Sequence, residues 1–138
     1  MPVIEGLIVI EKDGTISFGN YQLEQKGKKS DFEYQGDMYK VKTCREITKL
    51  ECNDMMVYES VPGTVAEHFK ITDQGAAFRV ESSRDAQITV QLENDTEYEV
   101  FVDEKAAGRM RTNMSGKLSL SVELEEGVAV EVKAVKRM

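Results

Sequence analysis

The side chains best suited to hold a ligand are aromatic, and they are concentrated in the first half of the chain. Tyr34, Tyr39 and Tyr58 follow one another with turn-forming residues between them. Proteins commonly hold sugars on aromatic faces assisted by planar polar groups, whereas rings on alternating strands also serve as ordinary cross-strand and core packing. The tyrosines therefore support two hypotheses, a carbohydrate site and a packed sheet. Arg109 and Arg111, two positions apart on an expected strand, complete the candidate binding set.

Catalytic chemistry has few residues to draw on. A Ser-His-Asp arrangement would have to use His68, the only histidine, and the sequence contains no G-x-S-x-G nucleophile turn. Two pairs of carboxylates lie two positions apart on expected strands: Glu97 with Glu99, and Glu123 with Glu125. The members of each pair point to one face, opposite their apolar neighbours, so both pairs are interpreted as solvated surface. No catalytic residue is predicted.

The sequence also contains few residues that could bind a metal or carry redox chemistry. Cys44 and Cys52 are eight positions apart and lack Cys-x-x-Cys spacing, and together with one histidine they cannot complete a usual zinc site. Two free, partly buried thiols are expected. Asn and Asp at loop ends fit turns better than calcium ligands, because no EF-hand spacing occurs. No phosphate-binding loop is present, and we predict neither a metal nor a cofactor.

The charge balance limits the classes of partner. The chain has 25 acidic and 18 basic residues and a net charge of -7, which disfavours a nucleic-acid partner. Glu5 and Glu11 interrupt the apolar N-terminal run, and no window approaches the roughly 18 apolar residues of a membrane helix. A cytoplasmic protein without a membrane partner is expected, with a carbohydrate, a protein or another copy of itself as ligand.

The elements that must position these side chains are strands. Asp13-Gly14 between two β-branched runs predicts a hairpin with a type I′ turn, and apolar residues alternate with polar ones over 88–92, 98–102 and 118–124. The best helical candidate, Arg45–Cys52, is short. We therefore expect an all-β antiparallel sandwich of ten to twelve short strands with little helix, immunoglobulin-like or jelly-roll-like. A closed barrel is the alternative. Residues 1–138 are expected to form one domain, with 62–66, at the Pro62-Gly63 turn, as the place where it could divide.

One segment resembles a known corner. The run Leu92-Glu-Asn-Asp-Thr96-Glu-Tyr98-Glu-Val100 resembles the L-x-x-x-T-x-Y-x-V segment of fibronectin type III and related immunoglobulin-like sandwiches. The resemblance implies that Leu92, Thr96 and Tyr98 have structural roles, with the Tyr98 ring packed inward and its hydroxyl bonded to backbone a few residues upstream. Type III domains usually place one strand after this corner, whereas two are expected here.

Across its length the chain resembles a small group of bacterial proteins that sometimes carry the name endosialidase. The resemblance is carried by Gly36-Asp-Met-Tyr-Lys-Val-Lys-Thr43 and Tyr58-Glu-Ser-Val-Pro-Gly-Thr64. The name implies glycan cleavage, yet sialidases resemble one another in a propeller fold with S-x-D-x-G-x-T-W boxes, and 138 residues without Trp cannot supply either. The expected function is a non-catalytic binding or assembly module, with carbohydrate as a candidate ligand. The alternatives are a small glycan hydrolase and a homo-oligomeric structural protein.

Overall fold

Residues 4–137 are described by a computed structural model, and their regular structure is almost entirely β-strand. A 3₁₀ turn at Glu5–Leu7 precedes the strands. The thirteen strands of the described residues are β1 (Ile8–Ile10), β2 (Ile16–Phe18), β3 (Gly27–Tyr34), β4 (Asp37–Thr43), β5 (Thr48–Cys52), β6 (Met55–Val61), β7 (Val65–Thr72), β8 (Gly75–Glu81), β9 (Ala86–Gln91), β10 (Glu97–Val102), β11 (Lys105–Arg111), β12 (Lys117–Val122) and β13 (Val130–Lys136). The all-β class is confirmed. The short helical candidate Arg45–Cys52 contains β5 instead of a helix.

The strands form two open antiparallel sheets. The seven-stranded sheet has the order β1-β2-β7-β8-β13-β10-β11, and the six-stranded sheet has the order β12-β9-β6-β5-β4-β3. This is the expected sandwich rather than the alternative closed barrel. The chain crosses from the six-stranded to the seven-stranded sheet at the Pro62-Gly63 turn between β6 and β7.

Aromatic rings fill the centre of the sandwich. Tyr58 from β6 contacts Phe18 at a centroid distance of 5.1 Å, and Phe69 and Phe78 at 5.7 Å. These rings meet edge to face, the arrangement that their quadrupoles favour. Along β9, β10 and β12, alternate residues are buried, as the period-two pattern predicted. Burial of each large apolar side chain stabilises the fold by roughly 1.5–3 kcal/mol.

A row of buried hydroxyls, the hydroxyl row, joins β4, β5 and β6 to the turn before β7. Its members are Thr43, Thr48, Tyr58, Ser60 and Thr64, all fully buried. The Thr64 hydroxyl lies 2.7 Å from the Tyr58 hydroxyl and 2.8 Å from that of Ser60. Thr48 bonds to both backbone groups of Thr64. No side-chain polar atom buried in the described residues lacks a partner, so the row is internally satisfied.

The β1–β2 hairpin forms as predicted, but its turn differs. Glu11 N–H donates to the Thr15 carbonyl at 2.7 Å, and Gly14 N–H donates to the Glu11 carbonyl at 3.0 Å. In this three-residue loop Gly14 has a φ of 86° and Asp13 is not in the left-handed region, so the type I′ prediction was wrong. Two-residue turns with positive φ at both positions occur instead at 35–36, 53–54 and 103–104.

The corner at 92–98 is held by backbone contacts. Tyr98 is buried, and its hydroxyl accepts a hydrogen bond from Glu93 N–H at 3.2 Å. Thr96 Oγ1 donates to the Asn94 carbonyl at 2.9 Å, and Thr96 N–H donates to the Thr112 hydroxyl at 2.9 Å. Leu92 packs against the core. These contacts fix the crossing from β9 to β10.

Candidate functional site

A groove opens at one end of the sandwich, between the two sheets. We call it the end groove. It has a volume of about 530 Å³, which is within the range of sites for small organic ligands. The seven-stranded sheet contributes the β1–β2 turn, the start of β2 and the end of β7. The six-stranded sheet contributes the β3–β4 hairpin, β6 and the end of β9.

One wall is built by the β1–β2 turn. The Asp13 carboxylate accepts hydrogen bonds from the Thr15 hydroxyl and, at 3.0 Å, from the Thr15 N–H. Side chains of Asp commonly bond to the backbone two residues on, which closes such a turn locally. These bonds from Thr15, with a smaller effect of His68, lower the pKa of Asp13 to about 2. Asp13 therefore presents a fixed negative charge to the groove at neutral pH.

His68 lies behind this wall and is oriented by the same two residues. Its Nδ1 lies 3.0 Å from Asp13 Oδ2 and 3.2 Å from Thr15 Oγ1. The Thr15 hydroxyl donates its proton to Asp13, and the ionised Asp13 carboxylate has no proton to donate. His68 Nδ1 is therefore the donor in both contacts. His68 has a φ of 52°, within an irregular part of the β7–β8 pairing.

The opposite wall is aromatic. The ring centroids of Tyr34 and Tyr39 are 5.5 Å apart, with an interplanar angle of 67°. The Tyr34 hydroxyl donates to the Gly14 carbonyl at 2.6 Å and so connects the β3–β4 hairpin to the β1–β2 turn across the two sheets. Burial raises the pKa of Tyr34, and burial followed by a contact with Cys52 raises the pKa of Tyr39. Both phenols are therefore neutral at physiological pH.

The floor is apolar and the rim is polar. Phe69 is buried beneath the groove, and Val57 reaches it at an irregular position of β6, where pairing with β5 passes from Tyr58 directly to Met56. Lys70 from β7 and Gln91 from β9 line the groove with polar side chains. An apolar floor with a few fixed polar groups is the usual composition of a ligand pocket.

The five residues predicted to bind a ligand do not form one site. Tyr34 and Tyr39 both line the end groove. Tyr58 is fully buried, with its ring in the core and its hydroxyl in the hydroxyl row, and it does not line the end groove. Arg109 and Arg111 lie on β11, at the far edge of the seven-stranded sheet from β1 and β2. Neither lines the end groove, because its lining from that sheet comes from the opposite side.

Arg111 already forms an ion pair with its neighbour Asp95. Its Nε donates to Asp95 Oδ1 at 2.8 Å, and its Nη2 donates to the Asp95 carbonyl at 3.2 Å. Asp95 raises the pKa of Arg111 through these contacts. Arg111 thus stabilises the loop between β9 and β10 and does not join the tyrosines.

Sequence reasoning missed the polar side of the end groove. In the sequence Asp13 is part of a hairpin turn, and no motif pairs His68 with a nucleophile or an orienting acid. The two residues are 55 positions apart, so no local pattern links them. The Asp-x-Thr spacing of Asp13 and Thr15 was the available signal, since it is typical of a side-chain-capped turn.

Asp13, Thr15 and His68 lie together but do not have the geometry of a catalytic triad. In a Ser-His-Asp triad the acid and the nucleophile contact opposite ring nitrogens, whereas Asp13 and Thr15 both contact Nδ1 of His68. Glu97 and Glu99 lie on the outer face and contact Arg137 at 3.5 and 2.9 Å. Within residues 4–137 no group of three or more His, Cys, Asp or Glu side chains is placed to hold a metal ion.

The two thiols are free, as expected. Cys44 is buried and Cys52 is half-buried. They lie at opposite ends of the β4–β5 hairpin, because Cys52 pairs with Tyr39 and Cys44 follows Thr43 at the turn. Neither thiol is arranged for exchange with the other.

No protein-family model, curated protein or solved structure matches this chain. In the part of the chain that the structure describes, no helix has the length and hydrophobicity needed to cross a membrane.

Proposed function

We propose that the protein is a non-catalytic binding module that holds a carbohydrate in the end groove. The observation that carries the proposal is the convergence of Tyr34, Tyr39 and the ionised Asp13 on one groove. Aromatic faces pack against the C–H faces of sugar rings, and a carboxylate accepts hydrogen bonds from sugar hydroxyls. The Tyr34–Gly14 bond and the Asp13–Thr15 bonds fix these groups in advance. Such preorganisation reduces the entropy lost on binding.

Polar groups of both signs line the groove opposite the aromatic wall, which favours a neutral polyhydroxylated ligand over a simple ion. Lys70 is a donor and Asp13 is an acceptor, and both come from the seven-stranded sheet. Gln91 Nε2 already donates to the Ser115 carbonyl at 2.6 Å, so its amide is held in place. A sugar can use donors and acceptors together, because each hydroxyl is both.

Hydrolysis is the weaker reading of the same groove. Glycosidases usually place two carboxyl groups across the scissile bond, one of them a general acid with a raised pKa. Asp13 is the carboxylate among the described lining residues, and its pKa is lowered to about 2. A carboxyl group with that pKa is ionised and cannot donate a proton at neutral pH. The glycan hydrolase alternative therefore receives no support from the end groove.

A glycan array followed by calorimetry on the best-bound sugar tests the proposal. Tyr39→Leu keeps apolar volume but removes the ring face, and we expect it to weaken binding at least tenfold. Arg109→Ala, on the exposed edge strand β11, is the matched control and should leave the affinity unchanged. Absence of binding to every sugar class, or equal affinity of wild type and Tyr39→Leu, would refute the proposal.

A further inference from the structure

Two free sheet edges lie on the same side of the sandwich. β11 is the last strand of the seven-stranded sheet and β12 is the first strand of the six-stranded sheet. Only residues 112–116 connect them, so the two edges are neighbours, separated by about the 10 Å between packed sheets. An unpaired edge exposes backbone donors and acceptors that can pair with another strand.

The two strands run in opposite directions. Thr112 N–H donates to the Thr96 carbonyl at 3.0 Å and Leu92 N–H donates to the Gly116 carbonyl at 2.7 Å, so the 92–96 and 112–116 connections lie at one end of the sandwich. β11 ends there and β12 begins there. This polarity decides how a second copy can pair with both edges.

The β12 edge is regular and carries little protection. Its six residues pair with β9 without a register shift, and it contains no proline. Since Gly116 bonds to Leu92, alternation along the ladder directs the backbone groups of Lys117, Ser119 and Ser121 away from β9. Asn113 already bonds to both backbone groups of Lys117, so Ser119 and Ser121 form the free edge. The side chains of Ser119 and Ser121 are small and exposed, so they do not obstruct an approaching strand.

β11 extends past the six-stranded sheet. All of its residues except Met110 are exposed, which means that neither of its faces is covered. Ala106, Ala107 and Gly108 are small, and a Cβ added to Gly108 would meet no atom within 4 Å. On the other side of the molecule β1 lies against β3, so the two sheets are aligned there. The seven-stranded sheet has one strand more, and this strand, β11, therefore projects beyond β12.

We propose that two copies of the chain form a two-fold dimer in which β11 of each copy pairs with β12 of the other. A rotation of 180° about an axis parallel to the strands exchanges the two sheets and keeps the strand directions. Each new β11–β12 pair is then antiparallel. Each seven-stranded sheet continues into the six-stranded sheet of the other copy, and the overhanging β11 occupies the open place beside β12.

Charge and sterics favour this pairing over the alternatives. Lys105 starts β11 at the end of the sandwich where β12 finishes, which brings it near Glu123 of the other copy. Arg111 would lie near Lys117, but Asp95 already neutralises it. Pairing β12 with β12 would instead push the overhanging β11 of one copy into the larger sheet of the other.

The opposite side of the sandwich is protected. β1 has three residues, too few for a long ladder. β3 has a register shift between Lys29 and Phe32, where Asp31 has a φ of 57°. Irregular positions of this kind are how edge strands avoid pairing. β11 also has a register shift, between Val100 and Phe101 in its pairing with β10, but Gly108–Arg111 pair regularly and β12 has no shift. The β11–β12 side therefore keeps a regular edge, and we expect a second copy to use it.

The mass of the full chain in solution, measured by sedimentation velocity over a range of concentrations, tests the dimer. Ser121→Pro removes an N–H that points to the free edge, and Arg109→Pro does the same on β11, where Met110 is the residue that faces β10. We expect wild type to reach twice the monomer mass and each proline variant to dimerise at least tenfold more weakly. Ser121→Ala and Arg109→Ala keep the N–H and should dimerise as wild type does. Circular dichroism checks that each variant is folded. If one proline variant is unfolded, the dimerisation of the other proline variant tests the proposal.

Three results would overturn the dimer. The first is a wild-type chain that stays monomeric at every concentration, or that grows into open assemblies. The second is a folded proline variant that dimerises as well as wild type. The third is an alanine variant weakened as much as its proline counterpart. Hydrogen exchange gives an independent reading, because the Ser119, Ser121 and Arg109 amides should exchange at least tenfold more slowly in the dimer than after dilution.

Discussion

In the hydroxyl row, the donor and the acceptor can be assigned for each hydrogen bond of Thr48 and Thr43. Thr48 Oγ1 accepts the Thr64 N–H at 3.0 Å and donates its own proton to the Thr64 carbonyl at 2.9 Å. Thr43 must therefore be the donor in its 2.7 Å contact with Thr48. The Thr43 oxygen in turn accepts the Asn20 N–H at 2.9 Å. Because each group depends on the next, the loss of one hydroxyl leaves several buried groups unpaired.

Replacement of Thr48 by Val keeps the side-chain shape and removes the hydroxyl. Thr64 and Thr43 then lose a partner in a fully buried place, and we expect the free energy of unfolding to fall by about 2–4 kcal/mol in urea titrations. Ser119→Ala removes an exposed hydroxyl that contacts Thr89, and it should change stability by less than about 0.5 kcal/mol. A cost of Thr48→Val no greater than that of this control would contradict the assignment.

The charge of Asp13 depends on Thr15, and this dependence is measurable. Thr15→Val removes the hydroxyl donor, so the pKa of Asp13 should rise from about 2 toward its ordinary 3.8, as followed by carboxyl carbon shifts in an NMR titration. Thr72→Val, on the same groove but away from Asp13, is the control and should leave that pKa in place. An unchanged pKa in Thr15→Val would show that the turn does not hold the charge.

The sign of the associated pH effect follows from linkage. A carboxyl group whose folded pKa is lowered stabilises the fold fully above its unfolded pKa, and that contribution is lost as the pH falls from about 4 toward 2. Thr15→Val should therefore lose less stability over this window than wild type does.

Strands that bury one face are the elements that the sequence predicts well. The alternation of apolar and polar residues predicts β9, β10 and β12, because side chains in these strands point alternately into the core and out of it. β5 was missed because Ile47 and Leu50 have a helical spacing of three. In the structure Ile47 belongs to the turn before the strand, where its carbonyl accepts the Cys44 N–H at 2.8 Å, and only Leu50 lies in β5.

The connection from β6 to β7 depends on a close backbone approach at Gly63. A Cβ at this position would lie 1.9 Å from the Cys44 carbonyl oxygen, which is backbone and cannot move aside cheaply. We expect Gly63→Ala to destabilise the fold by about 2 kcal/mol or more in urea titrations. At Gly27 an added Cβ would meet the flexible end of Leu23 at 2.9 Å, so Gly27→Ala should cost clearly less. Equal costs at the two sites would contradict the close approach.

Across the whole molecule, function depends on contacts that no local pattern contains. β2 pairs with β7, and β6 pairs with β9, so the end groove is assembled from segments far apart in the chain. Tyr34 and Tyr39 could be proposed from the sequence because two-residue turns and alternation place them. The place of Asp13 beside them could not, because the Tyr34–Gly14 bond that brings the β1–β2 turn to the tyrosines joins the two sheets and is not visible in any local pattern. The same long-range order buries Tyr58, which its sequence neighbours do not distinguish from the other two tyrosines.

The central claim is that a sugar binds in the end groove, and an NMR titration of the ¹⁵N-labelled full chain with the best-bound sugar tests it most directly. The account predicts saturable shifts at the backbone amides of Asp13, Tyr34, Tyr39, Phe69 and Lys70, all of which line the groove. It also predicts unchanged amides along β10 and β11. Shifts confined to those strands, or none at the groove, would contradict it.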